Sequence, residues 1–431
     1  MTAVACPAGR GRTAGTRGVR LAGAVFWLTL LPAGCRDEAA SDPNRVKFLW
    51  FGNETETRAV SSLLREFERD NPGLHVDLTV IEWNKYVEKT ITMMLGGHAP
   101  DLARMSVQHV PRFVELDALA DVGPEIARWD MDDWDPARLA SCRVGGKWVG
   151  LPQSSIVLVV YYNRDAFRRI GVSPPATPLD AWTLEEFAEV ARRLQTDGGM
   201  EYGWGTFRGF FPLMAFVYMH GGRLFADDLE TPRFSSPEVL AALRWFVDQH
   251  RRGIAPPASW SAGGDNADRL FVLGRCGMVV QGSWMIANYE RRIRDFEWGV
   301  TYLPRGLHAG TNVGGENLVV FRTPRRAAAL RLLGHLTSPG AIRRFCQEAR
   351  FIPPRASLLR DGLDYGRYNE WMRVAVEQSR FFRPQWGREQ SAPAFAVVAD
   401  QLCVRTEMAV LGLCPPERAM GDLTEDYRGL R

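Results

Sequence analysis

The sequence predicts an α/β protein built from more than one compact unit, and three observations carry that reading. Short apolar runs of strand length alternate with amphipathic stretches of helical length, the pattern of a sheet covered by helices. The chain has 431 residues, and a single core seldom grows past about 250–300 residues. Its composition is 46% hydrophobic and 24% charged, which excludes a disordered, collagenous or polytopic membrane chain.

"VKFLWF" (residues 46–51) reads as a strand buried on both faces. A helix follows, with Val60, Leu63, Leu64 and Phe67 on one stripe. Asn71-Pro72-Gly73 ends it. "HVDLTVIEW" (75–83) reads as a second strand, "KYVEKTITMMLGG" as a helix closed by Gly96-Gly97, and "PDLARMS" as a third strand. Strand and helix alternate here, so the sheet is expected to be parallel. After Pro152, "IVLVVYYN" (156–163) is a strongly apolar strand. Thr183 and Glu186 form a capping box ahead of the stripe Phe187, Val190, Ala191 and Leu194. Ser236-Pro237 opens a further helix, which Gly253 ends. "ENLVVF" (316–321) is another strand, and residues 324–338 and 339–350 read as two helices.

The N-terminus differs from the rest. Arg10, Arg12, Arg17 and Arg20 precede "LAGAVFWLTLLPAGC", which ends at Cys35. A basic segment, an apolar core and a small-residue end make a secretory signal. The end "LPAGC" resembles a bacterial lipobox, with Pro32 where such boxes prefer Leu, so residues 1–35 are expected to be a lipoprotein signal with Cys35 lipidated. A polar tether, 36–45, would follow. The alternative is an ordinary cleaved signal. No other segment reads as membrane-spanning.

Lys and Arg number 53 against 50 Asp and Glu, a net charge of +3 that argues for no nucleic-acid partner. Beyond Cys35 the cysteines are Cys142, Cys276, Cys346, Cys403 and Cys414, with no metal-ligand spacing among them. Most read as small buried apolar residues. Zinc, nucleophile-elbow, Walker and dinucleotide signatures are absent, so no cofactor, metal or catalytic residue is predicted. The acidic run "DMDDWD" (130–135) lacks the glycine and distal Glu of a calcium loop, and Asp135-Pro136 reads as a helix start.

A series of stretches then lines up in order: "PDL" (100–102), "YYNRDAFRRIGV" (161–172), "WTLEEF" (182–187), "HGGRLF" (220–225), "FVLGRCGMVVQGSW" (271–284), "GVTYLP" (299–304), "NVGGENLVV" (312–320) and "FIPPR" (351–355). From about Val46 to about Leu413 the chain resembles the extracellular solute-binding proteins of ATP-binding-cassette (ABC) sugar importers, the maltose-binding-protein type. The resemblance implies a type II periplasmic-binding-protein fold, with two lobes, each a sheet flanked by helices, and a ligand cleft between them. The chain would cross the hinge near 151–156, 312–316 and 351–355. One lobe would be 46–153 plus 315–351, the other 154–314 plus 352–431. It also implies a non-enzymatic, extracytoplasmic, lipid-anchored monomer that passes a sugar, oligosaccharide or glycerol-phosphate-type ligand to an ABC permease. A secreted glycosidase and a ligand-presenting sensory protein stand as alternatives.

Sugars present weakly apolar ring faces and hydroxyl edges, so their sites interleave aromatic planes with polar groups. Asn53 and Glu54 follow the first strand at its carboxyl end, and Trp83 ends the second. Glu316 follows Gly314-Gly315, where glycines let a ligand approach the backbone. Trp386 and Arg388 are expected in a long polar loop. By the resemblance, Trp284 matches a "GxW" whose Trp stacks on sugar, Asp101 matches a "PD" position, and Tyr162 matches a hinge-side Tyr. Their alternatives are core packing for Trp284, a turn cap for Asp101 and a buried strand aromatic for Tyr162. Trp245 reads as structural, and Arg208 with Arg388 would suit a glycerol phosphodiester.

Overall fold

Ten strands are formed in the computed structural model, which describes residues 42–261, 266–311 and 313–429. The expected signal, its Cys35 and most of the tether lie outside the described residues, as does Asn312 at the second expected crossing. The strands are β1 (Arg45–Trp50), β2 (His75–Val80), β3 (Leu102–Ser106), β4 (Arg143–Val144), β5 (Lys147–Trp148), β6 (Gly150–Asn163), β7 (Tyr202–Thr206), β8 (Cys276–Gly282), β9 (Trp298–Thr301) and β10 (Val313–Val320). Eight of them join in the order β2-β1-β3-β10-β6-β8-β7, with β9 beside β6. β4 and β5 make a separate hairpin.

The expectation of a parallel sheet holds only at the ends. β1 pairs in parallel with β2 and β3, and β7 with β8. The centre is antiparallel: β10 runs against both β3 and β6, and β6 against β8 and β9. Local alternation of strand and helix governs only neighbouring units. β10 returns from the far half of the chain and enters the first half in the opposite direction.

β6 also differs from its reading. It is one 14-residue strand through the expected crossing at 151–156, with no break at Pro152. Glu316 pairs with Ser154 and Asn317 with Pro152, so Gln153 is the extra residue of a β-bulge. A bulge is one of the few places inside a sheet where proline is tolerated. The three expected crossings lie side by side, because Ser155 pairs with Gly315 and also bridges Ile352.

Alternation along the strands divides the apolar side chains into cores. Val46, Phe48 and Trp50 of β1 face a core completed by the helices Glu54–Asp70, Arg326–Leu336 and Pro339–Ala349. Leu49 and Phe51 face another, with Tyr86, Val110 and Phe113. On β6, Leu158, Val160 and Tyr162 enter a third core. Val157, Val159 and Tyr161 enter a fourth. Leu358, within the segment expected in the second lobe, packs into the core of β1.

The capping signals act as written in the sequence. Thr183 and Glu186 form a reciprocal capping box, Ser236 caps the helix Pro237–Arg251, and Asp135 accepts from the Ala137 and Arg138 amides. Among the described residues, no helix is long and apolar enough to cross a membrane.

Candidate ligand-binding cleft

A cleft of about 630 Å³ opens at the carboxyl ends of the strands. In open α/β sheets this is where ligands sit, because loops there diverge and helix starts point inward. Phe51, Gly52 and Asn53 follow β1, Ile81, Glu82 and Trp83 follow β2, and Ser106 and Gln108 close β3. A second wall comes from the segment after β7, with Phe207, Arg208, Phe210 and Phe211, and from the turn after β8, with Trp284 and Met285. Asn288 and Arg291 extend that wall. Ile156, Gly314, Glu316 and Phe351 form the floor.

Aromatic rings stand on both walls. Trp83 keeps 46% of its surface exposed, its ring 4.9 Å from Phe51 and 5.3 Å from His109. Burial holds His109 neutral, its imidazole lowered to about 4. Trp284 lies between Phe207 at 6.2 Å and Phe211 at 6.1 Å. β8 ends at Gly282, and the indole folds back over that glycine: a Cβ on Gly282 would fall 1.8 Å from the Trp284 Cζ3. The turn is held by Tyr161, whose hydroxyl donates to the Gly282 carbonyl at 2.8 Å.

The floor is polar and buried. Arg104 donates to the Phe51 carbonyl at 2.7 Å and to the Glu56 carboxylate at 2.5 Å. Its guanidinium lies over the Trp50 ring at 4.5 Å. Glu56 also completes the cap of its helix, taking the Asn53 amide while Asn53 takes the Glu56 amide. Beside this pair, Glu316 is 6% exposed. Its Oε1 accepts from Ser106 at 3.4 Å, and its Oε2 is buried without a partner. Burial raises the Glu316 carboxyl above its ordinary range, opposed chiefly by the Arg104 charge. Among the described residues, no group of three or more His, Cys, Asp or Glu is arranged to hold a metal.

The cleft thus brings together Asn53, Trp83, Trp284 and Glu316 from the expected set. The Asn53 side chain serves as a helix cap. The other five lie elsewhere. Glu54 is solvent-facing and pairs with Arg58 at 2.9 Å. Asp101 is fully buried, taking the Lys47 amide at 2.7 Å and the Arg325 Nε at 2.8 Å, so it ties β1 to the segment after β10. Tyr162 is a core aromatic 4.8 Å from Phe167. Trp386 and Arg388 are in no loop: Pro384–Gln390 is a helix with proline in its first turn. Trp386 is buried and stacks on Tyr218 at 4.6 Å, while Arg388 is exposed on the same helix, away from the cleft. Arg208 does line the cleft, its Nε held by Glu407 at 2.9 Å.

Sequence reading passed over Glu56, Arg104, Phe207, Phe211 and Arg291. Two of them left a signal. Asn53 and Glu56 have capping-box spacing, and an arginine inside an apolar strand, as in "DLARMS", is anomalous unless it is paired.

Known proteins share this architecture. The Listeria monocytogenes ABC substrate-binding protein solved with cycloalternan has a TM-score of 0.76 at 20% identity, covering 90% of this chain and 98% of its own. The Streptomyces glaucescens GacH receptor, solved unliganded and with acarbose, has a TM-score of 0.76 at 22% identity, with 90% and 98% covered. In sequence, an uncharacterized lipoprotein of the oleD 5' region of Streptomyces antibioticus is 27% identical over 405 residues, 87% of each chain. The maltodextrin-binding protein MdxE of Bacillus subtilis is 24% identical, over 69% of this chain and 71% of its own. The family model for bacterial extracellular solute-binding proteins matches residues 52–342. With two thirds of its length under that family model, the chain belongs to the bacterial extracellular solute-binding protein family.

Proposed function

We propose that the protein is the extracytoplasmic, lipid-anchored binding component of an ABC importer, and that it carries a sugar or oligosaccharide in this cleft to the permease. One observation supports this above others: indoles from both walls, Trp83 and Trp284, border a space floored by buried hydrogen-bonding groups. That is the pairing of ring faces with hydroxyl partners that a sugar requires. Relatives point the same way, since the solved complexes carry cycloalternan and acarbose. A glycerol phosphodiester is the second reading, favoured by Arg208 and Arg291 on the cleft wall. It is kept because UgpB from Mycobacterium tuberculosis, TM-score 0.74, was solved with glycerophosphocholine.

On this reading the lobes are 46–153 plus 315–351 and 154–314 plus 352–431, and they close on ligand, a motion common in such proteins. The protein acts as a monomer and releases its ligand chemically unchanged. Cys35 carries the anchor, and the named Streptomyces antibioticus lipoprotein lends this support.

A thermal-shift screen of oligosaccharides and glycerophosphodiesters tests the ligand class. At 100 times its Kd a ligand stabilises by about 2.7 kcal/mol, which for a chain of this length raises Tm by roughly 3 °C. A response to neither class refutes the proposal. Cys35→Ser is expected to move the protein from the membrane to the soluble fraction, and a wild-type protein that is already soluble refutes the anchor.

A further inference from the structure

Glu316 is a cleft residue set in the middle of the sheet, on β10. It is paired to Ser106 of β3 on one side and to Ser154 of β6 on the other. Three features converge on it. The bulge at Gln153 interrupts the ladder between Glu316 and Asn317, and bulges re-aim side chains beside sites. Gly315, at φ +153°, takes a conformation that other residues rarely adopt, and the Arg138 guanidinium fills the space its side chain would need, with Nη2 1.9 Å from an added Cβ. Finally, the Glu316 Oε2 is buried at the floor with no partner.

The neighbouring charges are engaged through one nitrogen each. Arg104 is paired with Glu56, and Arg138 donates to the Ser154 carbonyl at 3.0 Å. What is left open there is the Glu316 Oε2 as an acceptor, beside the Nε donors of Arg104 and Arg138, which are buried without a partner. A buried acceptor is costly unless a donor reaches it, and with two guanidiniums beside it the fitting donor is a neutral hydroxyl rather than a third cation. An anionic group at this depth would face a carboxylate at low dielectric.

We infer that Glu316 is the selector of the cleft: it accepts a hydrogen bond from a hydroxyl of a neutral ligand and turns away an anionic group. The inference rests on the sugar-binding reading above and chooses between its two ligand classes. The neutral, hydroxylated end of the ligand enters first, and any anionic part is held outward, on the side of Arg208 and Arg291.

The test is calorimetric titration of wild type and Glu316→Gln with three neutral probes, maltotriose, cellotriose and xylotriose, and one anionic probe, glycerol 3-phosphate. Gln keeps the shape and removes the charge. The expected result is a loss of tenfold or more for the neutral probe that binds, while glycerol 3-phosphate stays level or improves. Circular dichroism and a denaturant melt of the variant guard against a folding defect. Unchanged affinity for the neutral probe overturns the inference, as does a parallel fall for both classes or tighter wild-type binding of glycerol 3-phosphate. Failure of all three neutral probes on wild type overturns the sugar reading itself and this inference with it.

Discussion

Gly282→Ala isolates the contribution of Trp284 without deleting the indole. Gly282 has φ −73° and ψ 150°, extended backbone that alanine adopts freely, so no conformational penalty arises. The conflict is steric. The new methyl would lie 1.8 Å from Cζ3 and 2.1 Å from Cε3 and Cη2 of Trp284, whereas carbon atoms rest about 3.5–4.0 Å apart. The ring must therefore retreat by about 2 Å. Because Trp284 is only partly buried, it can swing toward the cleft instead of straining the core. Stability should fall near the lower end of the overpacking range, about 1 kcal/mol. Affinity should fall further. The lost stacking contact is worth about 0.5–1.5 kcal/mol, and the displaced ring intrudes on the ligand's space, so a loss of roughly tenfold or more is expected at 1.4 kcal/mol per decade. Titration with maltotriose and a denaturant melt read the two quantities separately. The decisive control is Gly282→Ala in a Trp284→Ala background, where the glycine substitution should cost almost nothing. An equal loss of affinity in both backgrounds, or none in either, refutes the role given to this pair.

Asp101→Ala should cost about 3–5 kcal/mol of stability, because it strips a buried carboxylate from Arg325. Ligand affinity of the folded protein should be retained, and a selective loss of affinity would return Asp101 to the site. His250 is fully buried, and burial lowers its imidazole to about 4, against about 6.5 in the unfolded chain. The unfolded state then binds the extra proton between those values. Stability from this group is therefore complete above about pH 6.5 and is lost toward pH 4, on the order of 3 kcal/mol. His250→Leu should flatten that part of the stability–pH curve, and an unchanged slope counts against the assignment. Cys142, Cys276, Cys346, Cys403 and Cys414 are free and buried, so a thiol reagent should label none of them in the native protein and dithiothreitol should leave the melt unchanged. Native labelling of any of the five refutes this. Gly315→Ala should destabilise the protein by more than about 1 kcal/mol, from positive φ and the clash with Arg138. A neutral effect would mean that the guanidinium moves aside.

What the amino-acid sequence determined by itself was local. The strand of residues 156–163, the capping box of Thr183 and Glu186, the proline starts after Ser236 and Asp135, and the glycine stops are all visible in it. Each depends on groups within one or two turns of each other, so spacing is enough to read them. The ordered stretches that resemble the importer proteins are of the same kind. Even at this range one helix went unread: Pro384–Gln390 carries Pro and Gly at polar positions and looks like a loop until Trp386 is seen stacked on Tyr218. Tertiary structure alone decided the site. Glu56 meets Arg104 across 48 residues of chain, Glu316 meets Ser106 across 210, and Asp101 meets Arg325 across 224. Asp101 and Glu316 are both buried carboxylates, and the sequence offered both as ligand contacts. The fold gave one an arginine and a backbone amide, and left the other with an oxygen at the floor of the cleft. The difference is set by which distant strands close on each residue. Pairings at such separations depend on the closure of long loops and the register of the sheet, which no short window of residues encodes.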